Sequence, residues 1–186
     1  MSVALDTMVL IWGLRKGNPQ KGTLSDHDAE MQRRSRILLR DLDEKKETVI
    51  VPAVTVAELL CPLDPREHGE FIAVLTQRFF CPPFDIRAAS LAAELWQYNR
   101  GLPSSEQISR TVLKADVLII SSAKVGGASV LYSHDGKCRK LATRAGLKAR
   151  DLPTHSEDLF INAEMNRDLP ATPVSPAKPK QRRNKR

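Results

Sequence analysis

Aromatic residues and long apolar runs are both scarce in this chain. Phe, Trp and Tyr make up 5% of the 186 residues, so stacking on exposed rings is not expected to dominate any binding of nucleic acid. No apolar run approaches the roughly 18 residues that a membrane-spanning helix needs. The N-terminus is apolar first and basic later, the reverse of a secretory signal. With 41% apolar residues, the chain is predicted to be a globular cytoplasmic protein.

Cysteine is also rare, with three residues at positions 61, 81 and 138. No CxxC pair occurs, and none of the four histidines lies at zinc-ligand spacing from a cysteine. Neither a disulfide framework nor a structural zinc site is therefore expected. We predict that all three cysteines act as small buried apolar side chains.

The formal charge of +7 is concentrated at the C-terminus. Six basic residues and no acid follow Asp168, and the remaining 23 basic residues nearly balance the 22 acids. We therefore predict a nearly neutral folded body at 1–160 and a disordered Pro/Lys/Arg-rich tail at 161–186. The tail could bind RNA, keep the protein in solution or act as a targeting address, and the sequence does not choose among these roles.

Short strands alternate with helices along the body. The segments predicted as strands are 2–5, 48–52, 128–133 and 148–152. Helices are predicted at 8–14, 26–46, 53–61, 67–79, 87–100, 109–125 and 135–145. Because most of these strands are apolar on both faces, the pattern predicts an α/β fold with a short, mainly parallel sheet covered by helices.

Four acids lie where a predicted strand ends or a helix begins. They are Asp6, Glu58, Asp116 and Asp135, in the segments VALDTMVLI, PAVTVAELL, LKADVLIISSA and LYSHDGKCRKLA. The carboxyl ends of parallel strands share one edge of a sheet, where ligand sites form. Carboxylates that meet there repel one another unless a cation neutralises them. Oxygen ligands without histidine or cysteine favour Mg²⁺ or Mn²⁺, which can activate water and stabilise phosphoryl charge.

Each acid also has an ordinary structural explanation. Asp6 and Asp135 could cap helices, Glu58 could be a surface residue, and Asp116 could pair with a nearby basic side chain. For any single acid this explanation is the better one, because short motifs often match by chance. The four segments in this order form a much stronger pattern.

The four segments resemble the motifs of PIN-domain ribonucleases, most closely the VapC-like toxins of type II toxin–antitoxin systems. The resemblance rests on LDT at 5–7, TVAEL at 55–59, ADVLIISSA at 115–123 and SHDGKCRKLA at 133–142. It implies a three-layer α/β/α fold and a Mg²⁺ or Mn²⁺ site. It also implies endonucleolytic cleavage of RNA, homodimer formation and inhibition by a cognate antitoxin protein.

Position by position, the resemblance assigns the four acids to catalysis and metal binding. Thr7 and Ser133 match supporting polar residues of the family. Two positions depart from it: Met8 replaces a common asparagine, and Lys137 replaces a common aspartate. The first departure removes a polar group beside the acids, and the second replaces a metal or water ligand by a cation, so both bear on the number of metal ions and the reaction rate.

Basic residues beside the last acid are candidate contacts for RNA phosphates. They are Lys137, Arg139 and Lys140, and an ordinary solvated helix face explains them equally well. His134 adjoins Asp135 but is expected to point away from the acids, because neighbouring residues at a strand end face opposite ways.

Two other functions are compatible with the sequence. Asp6 could be the covalent nucleophile of a metal-dependent phosphatase similar to the haloacid dehalogenases, although those enzymes carry a second acid where this chain has Met8. Alternatively, the fold could be a non-catalytic or weakly active module that binds RNA or protein.

Overall fold

The computed structural model describes residues 1–14 and 25–154. The predicted boundary at residue 160, and the basic tail beyond it, lie outside the described residues. Within this part of the chain no helix is both long and apolar enough to cross a membrane.

Four parallel strands of the described residues form one sheet in the order β2–β1–β3–β4. They are β1 (Ser2–Leu5), β2 (Thr48–Ile50), β3 (Val130–Tyr132) and β4 (Lys148–Arg150). Val3 pairs with Val49 on one side and with Val130 on the other, which makes β1 a central strand. Because all four strands run the same way, their carboxyl ends lie along one edge of the sheet, as the sequence predicted.

In residues 1–14 and 25–154, seven α-helices connect and cover the strands. They are α1 (Thr7–Leu14), α2 (Asp26–Glu44), α3 (Ala53–Leu60), α4 (His68–Arg78), α5 (Ile86–Arg100), α6 (Arg110–Val125) and α7 (Gly136–Arg144). Ser25 caps α2 by accepting a hydrogen bond from the Asp28 amide, and Asp85 caps α5 through the amides of Arg87 and Ala88. The described residues thus contain the predicted helices, with ends that differ by one or two residues.

Alternating strand residues bury side chains in two separate cores. Ala4 and Leu131 pack with α5, α6 and α7 on one face of the sheet. Val3, Leu5 and Val130 pack with α1 and α2 on the other face. All five side chains have no exposed surface, so the sheet forms the middle layer of a three-layer α/β/α fold, as predicted.

The prediction that all cysteines are buried is wrong for one of them. Cys138 is buried and Cys81 is partly buried, whereas Cys61 is exposed just after α3. Burial raises the pKa of the Cys138 thiol, since the thiolate would lose its hydration. Cys138 is therefore a packing residue of α7 and not a nucleophile.

Candidate active site

The structure brings the four predicted acids together at the carboxyl edge of the sheet. Asp6 directly follows β1, Glu58 lies in α3, Asp116 in α6, and Asp135 follows β3. Burial and, to a smaller extent, the charges of Asp6, Asp135 and Glu58 together raise the pKa of Asp116 to about 7. Mutual repulsion of this kind requires the four carboxyl groups to be neighbours.

Asp116 is the least satisfied of the four acids. Its Oδ2 atom is buried and has no hydrogen-bond partner among the described residues. This oxygen atom therefore takes no part in the predicted alternative, a pair with a nearby basic side chain, within the part of the chain that the structure describes. A buried carboxylate oxygen without a donor is costly, and a bound cation would remove that cost.

Asp6 is held by the strand beside it. The Ser133 hydroxyl donates a hydrogen bond of 2.8 Å to Asp6 Oδ2 and accepts one of 3.1 Å from the Asp135 amide. Burial raises the pKa of Asp6, while the hydrogen bond from Ser133 opposes that shift. Ser133 itself is fully buried, so it links the end of β1 to the beginning of α7 in a fixed geometry.

Glu58 and Asp135 are also engaged by local donors. The buried Thr7 hydroxyl donates to Glu58 Oε2 and thereby connects α1 to α3. Asp135 caps α7, since its Oδ1 atom accepts from the amides of Lys137 at 2.7 Å and Cys138 at 3.3 Å. The capping explanation for Asp135 is thus correct, and it leaves Oδ2 of this exposed residue available to a ligand.

The acids fit a hard divalent cation in their chemistry, since all the donors are oxygen atoms. Within the described ranges, however, no group of three or more His, Cys, Asp or Glu side chains is arranged to hold a metal ion. Three of the carboxylates are instead bonded to the Thr7 hydroxyl, the Ser133 hydroxyl and the amides at the beginning of α7.

The basic residues beside Asp135 differ in their surroundings. Lys137 Nζ donates to the Gln107 carbonyl oxygen at 3.0 Å, so its ammonium group points away from the acids. Arg139 donates to the Ser133 carbonyl oxygen at 2.7 Å and lies 3.3 Å from an Asp151 carboxylate oxygen. Lys140 is exposed and forms no hydrogen bond or ion pair with the described residues.

Asp151 is a residue of this region that sequence reasoning missed. Its Oδ1 atom lies 2.9 Å from Nδ1 of His134, and its carboxylate also faces Arg139 and the buried Arg34. Partial burial alone would raise the pKa of Asp151, but the hydrogen bonds from His134 and the Leu152 amide and the charge of Arg139 lower it. His134 therefore faces Asp151 and not the acids, as expected.

The position of Asp151 in the sequence is a signal from which its place near the acids could have been predicted. It follows β4 directly, so it stands at the same sheet edge as the acids that follow the other strands. Through His134 and Arg139, Asp151 fixes the segment between β3 and α7 that carries Ser133 and Asp135.

Comparison with known families decides the classification. Residues 3–144 match the model of the PIN domain, and this range covers most of the chain and contains all four acids. The chain belongs to the PIN-domain family. PIN domains are generally nucleases, and the acids, Thr7 and Ser133 lie within the matched region.

Two solved structures share the fold of this PIN domain. One is the crystal structure of VapBC2 from Rickettsia felis bound to a DNA fragment from their promoter, with 16% identity and a TM-score of 0.54. The match covers 82% of this chain and 100% of that chain. The other is VapBC-1 from nontypeable Haemophilus influenzae, with 19% identity, a TM-score of 0.54 and coverage of 82% and 98%. A comparison with curated protein sequences found no significant match.

Proposed function

We propose that this PIN domain is a divalent-metal-dependent endoribonuclease and the toxin of a toxin–antitoxin pair. The observation that carries the proposal is Asp116, whose buried Oδ2 atom lacks a donor and whose pKa is raised to about 7. A structural acid would be paired, whereas an acid that binds a cation needs an unoccupied oxygen.

The four acids Asp6, Glu58, Asp116 and Asp135 would hold one or two Mg²⁺ or Mn²⁺ ions. When bound, the cation would activate water and stabilise charge on the phosphoryl oxygen. Ser133 would orient Asp6, and Thr7 would orient Glu58, because each hydroxyl binds one carboxylate oxygen and leaves the other for a cation. Hydrolysis of the RNA phosphodiester would leave a 5′-phosphate and a 3′-hydroxyl.

A protein partner is part of the same proposal. The two structural neighbours are VapBC proteins, and that pairing supports a cognate antitoxin for this chain. From α4 to the first residue of α5 the chain also exposes large apolar side chains: Ile72, Val74, Phe80, Phe84 and Ile86. Such a surface suits a protein interface, either with the antitoxin or in a homodimer, and we place the pair in the cytoplasm.

A non-catalytic role in binding RNA or protein is the second candidate. The arrangement of the acids favours this role, because no three of the described His, Cys, Asp and Glu side chains are placed closely enough to hold a metal ion. A phosphatase with Asp6 as nucleophile is less well supported, since Met8 stands where a second acid would be needed and its side chain is 43% exposed.

The decisive experiment is incubation of the purified protein with defined single-stranded and hairpin RNAs. We expect cleavage with Mn²⁺ or Mg²⁺, none with EDTA, and none by the Asp6→Ala variant under either condition. Binding of RNA without metal-stimulated cleavage would favour the non-catalytic candidate. Equal cleavage by wild-type protein and Asp6→Ala would reveal a contaminating nuclease and contradict the assignment.

Replacement of Ser133 by alanine tests the support of Asp6. We expect metal affinity and cleavage to fall by about 10- to 100-fold, because a ligand that loses its orienting partner binds metal more weakly. Loss of the hydrogen bond should lower stability by about 1 kcal/mol. Calorimetric titration with Mn²⁺ and a cleavage assay measure the two effects.

The matched control for this variant is Ser129→Ala. Ser129 precedes the same strand, and its hydroxyl donates a hydrogen bond of 2.9 Å to the Ser2 carbonyl oxygen at the opposite edge of the sheet. It should bind Mn²⁺ like the wild type. Wild-type Mn²⁺ affinity in Ser133→Ala would show that the Ser133–Asp6 bond has no part in the site.

A further inference from the structure

A cleft beside the acids is not explained by the chemistry of the carboxylates. It lies between α7 and the segment that leads from α5 to α6, and its volume is about 130 Å³. Tyr98, Leu102, Ser105 and Glu106 line one wall, and the other wall includes Lys137 and Lys140. The cleft therefore combines apolar, hydroxyl and charged groups in a space suited to a small polar ligand.

Positive charge dominates one side of the cleft. Lys137, Lys140 and Arg144 follow one another at a spacing of three and four residues in α7, which places them along one face of the helix. The guanidinium carbon of Arg144 lies 5.1 Å from the centroid of the Tyr98 ring. Glu106 is the single acid among the residues that line the cleft. The surplus of cations favours an anionic ligand.

The two lysines take different positions in the cleft. Lys137 spans it, since its ammonium group donates to the Gln107 carbonyl oxygen on the opposite wall. Lys140 has no partner among the described residues and is exposed. A solvated ammonium group at the rim of a cleft can bind a phosphate at little cost, because it breaks no existing bond.

The cleft begins one helical turn from the acids. Asp135 caps α7, and Lys140 lies five residues further on, about 7.5 Å along the helix axis at 1.5 Å per residue. An RNA strand with its reacting phosphate at Asp135 would therefore carry a neighbouring nucleotide past Lys137 and Lys140.

The volume of the cleft matches a small ring. A cavity of about 150 Å³ accommodates one benzene molecule, so a cleft of about 130 Å³ fits a single six-membered ring more closely than a fused pair. We propose that the cleft binds a pyrimidine nucleotide of the RNA next to the cleaved phosphodiester, with its phosphate on Lys140. This inference rests on the proposed function and adds a base preference to it.

RNA binding without metal tests the cleft separately from catalysis. The full-length protein is titrated in EDTA against fluorescein-labelled octamers of uridylate and adenylate at 50 and 200 mM salt. The variants are Lys140→Ala, Lys137→Ala/Lys140→Ala and Ser105→Leu, with Lys148→Ala as the matched control. Lys148 is an exposed lysine at the beginning of β4, at the opposite edge of the sheet.

Each lysine that contacts a phosphate should contribute about 0.7 to the slope of log affinity against log salt. Lys140→Ala should therefore lose about 0.7 of that slope, which reduces the drop in affinity between 50 and 200 mM salt by about 2.6-fold. The double variant should lose the same amount, because the Lys137 ammonium group is already bonded to the Gln107 carbonyl oxygen. Ser105→Leu narrows the cleft and should weaken uridylate binding at an unchanged slope. Wild-type protein should prefer uridylate, and Lys148→Ala should bind like wild type.

Several results would overturn the proposal. They are equal binding of uridylate and adenylate by wild type, an unchanged slope in the double variant, or an equal loss in Lys148→Ala. Competition by poly-glutamate as strong as that by unlabelled uridylate would instead indicate a site for an acidic protein segment. Lys140-dependent uridylate binding without any metal-stimulated cleavage would reject the nuclease function alone, whereas cleavage with no effect of these variants would reject the cleft alone.

Discussion

Asp116→Asn should lower RNA cleavage by at least about 100-fold and at the same time stabilise the metal-free protein at pH 8. The amide is nearly the same size as the carboxyl group but carries no charge, so it binds a cation poorly. In the metal-free protein that missing charge is an advantage, because burial and three neighbouring acids oppose ionisation of Asp116. If Asp116 served only to stabilise the fold, its replacement by asparagine would instead lower the stability of the metal-free protein.

The expected gain in stability follows from the raised pKa. Asp116 titrates near 3.8 when it is free in solution and near 7 in the fold. Each pKa unit corresponds to about 1.4 kcal/mol, and we expect roughly 2 kcal/mol in all because Asp116 keeps some contact with solvent. Urea unfolding in EDTA at pH 8 measures the difference between the variant and the wild type.

Asp43→Asn is the control for this prediction. Asp43 is an exposed acid near the end of α2 and far along the chain from the cluster, so its replacement should change neither cleavage nor stability appreciably. Normal cleavage by a folded Asp116→Asn protein would remove Asp116 from the mechanism. Lower stability of that variant at pH 8 would show that the charge is compensated within the fold.

Divalent cations should stabilise the protein strongly at pH 8 and little at pH 5. At a Mn²⁺ concentration 100 times the dissociation constant, binding to the folded state alone adds about 2.7 kcal/mol. The cation binds the ionised acids, and below the raised pKa of Asp116 a proton occupies that oxygen instead. The rise in melting temperature with Mn²⁺ at pH 5, 6, 7 and 8 measures this competition.

The pH dependence without metal has a definite sign. Between pH 4 and 7 the folded protein holds a proton on Asp116 that the unfolded chain has already released. The contribution of Asp116 therefore lowers the free energy of unfolding as pH rises through this range, and the contribution is lost in Asp116→Asn. Equal Mn²⁺ shifts at pH 5 and pH 8 would be incompatible with Asp116 as a ligand, as would identical pH profiles in EDTA for wild type and variant.

The sequence was sufficient to predict the order of the elements and the common edge at which the acids meet. Strands such as SVAL are apolar on both faces, so they predict a sheet covered on both sides, and parallel strands place residues such as Asp6 and Asp135 at one end. Glu58 and Asp116 lie in helices, and hydrophobic periodicity does not predict that these two side chains lie near the sheet edge. The resemblance to the family motifs supplied that prediction.

Other features of the site depend on side-chain directions that no short motif records. Lys137 stands two residues after Asp135 in the sequence, yet its ammonium group reaches the Gln107 carbonyl oxygen on another segment. Asp151 meets His134 and Arg139 because β4 lies beside β3, and that adjacency becomes known only once the strand order is known. These contacts link residues at least 12 positions apart, which local patterns do not describe.

Arg34 sets a lower limit on the length of a truncated chain that keeps its fold. Its guanidinium group is buried and donates to the carbonyl oxygens of Leu152 and Pro153, the latter at 2.9 Å. A chain cut after Thr154 would retain both acceptors, whereas one cut before Leu152 would leave a buried cation without them, at a cost of several kcal/mol. Crystallisation of the isolated folded body should therefore begin from residues 1–154.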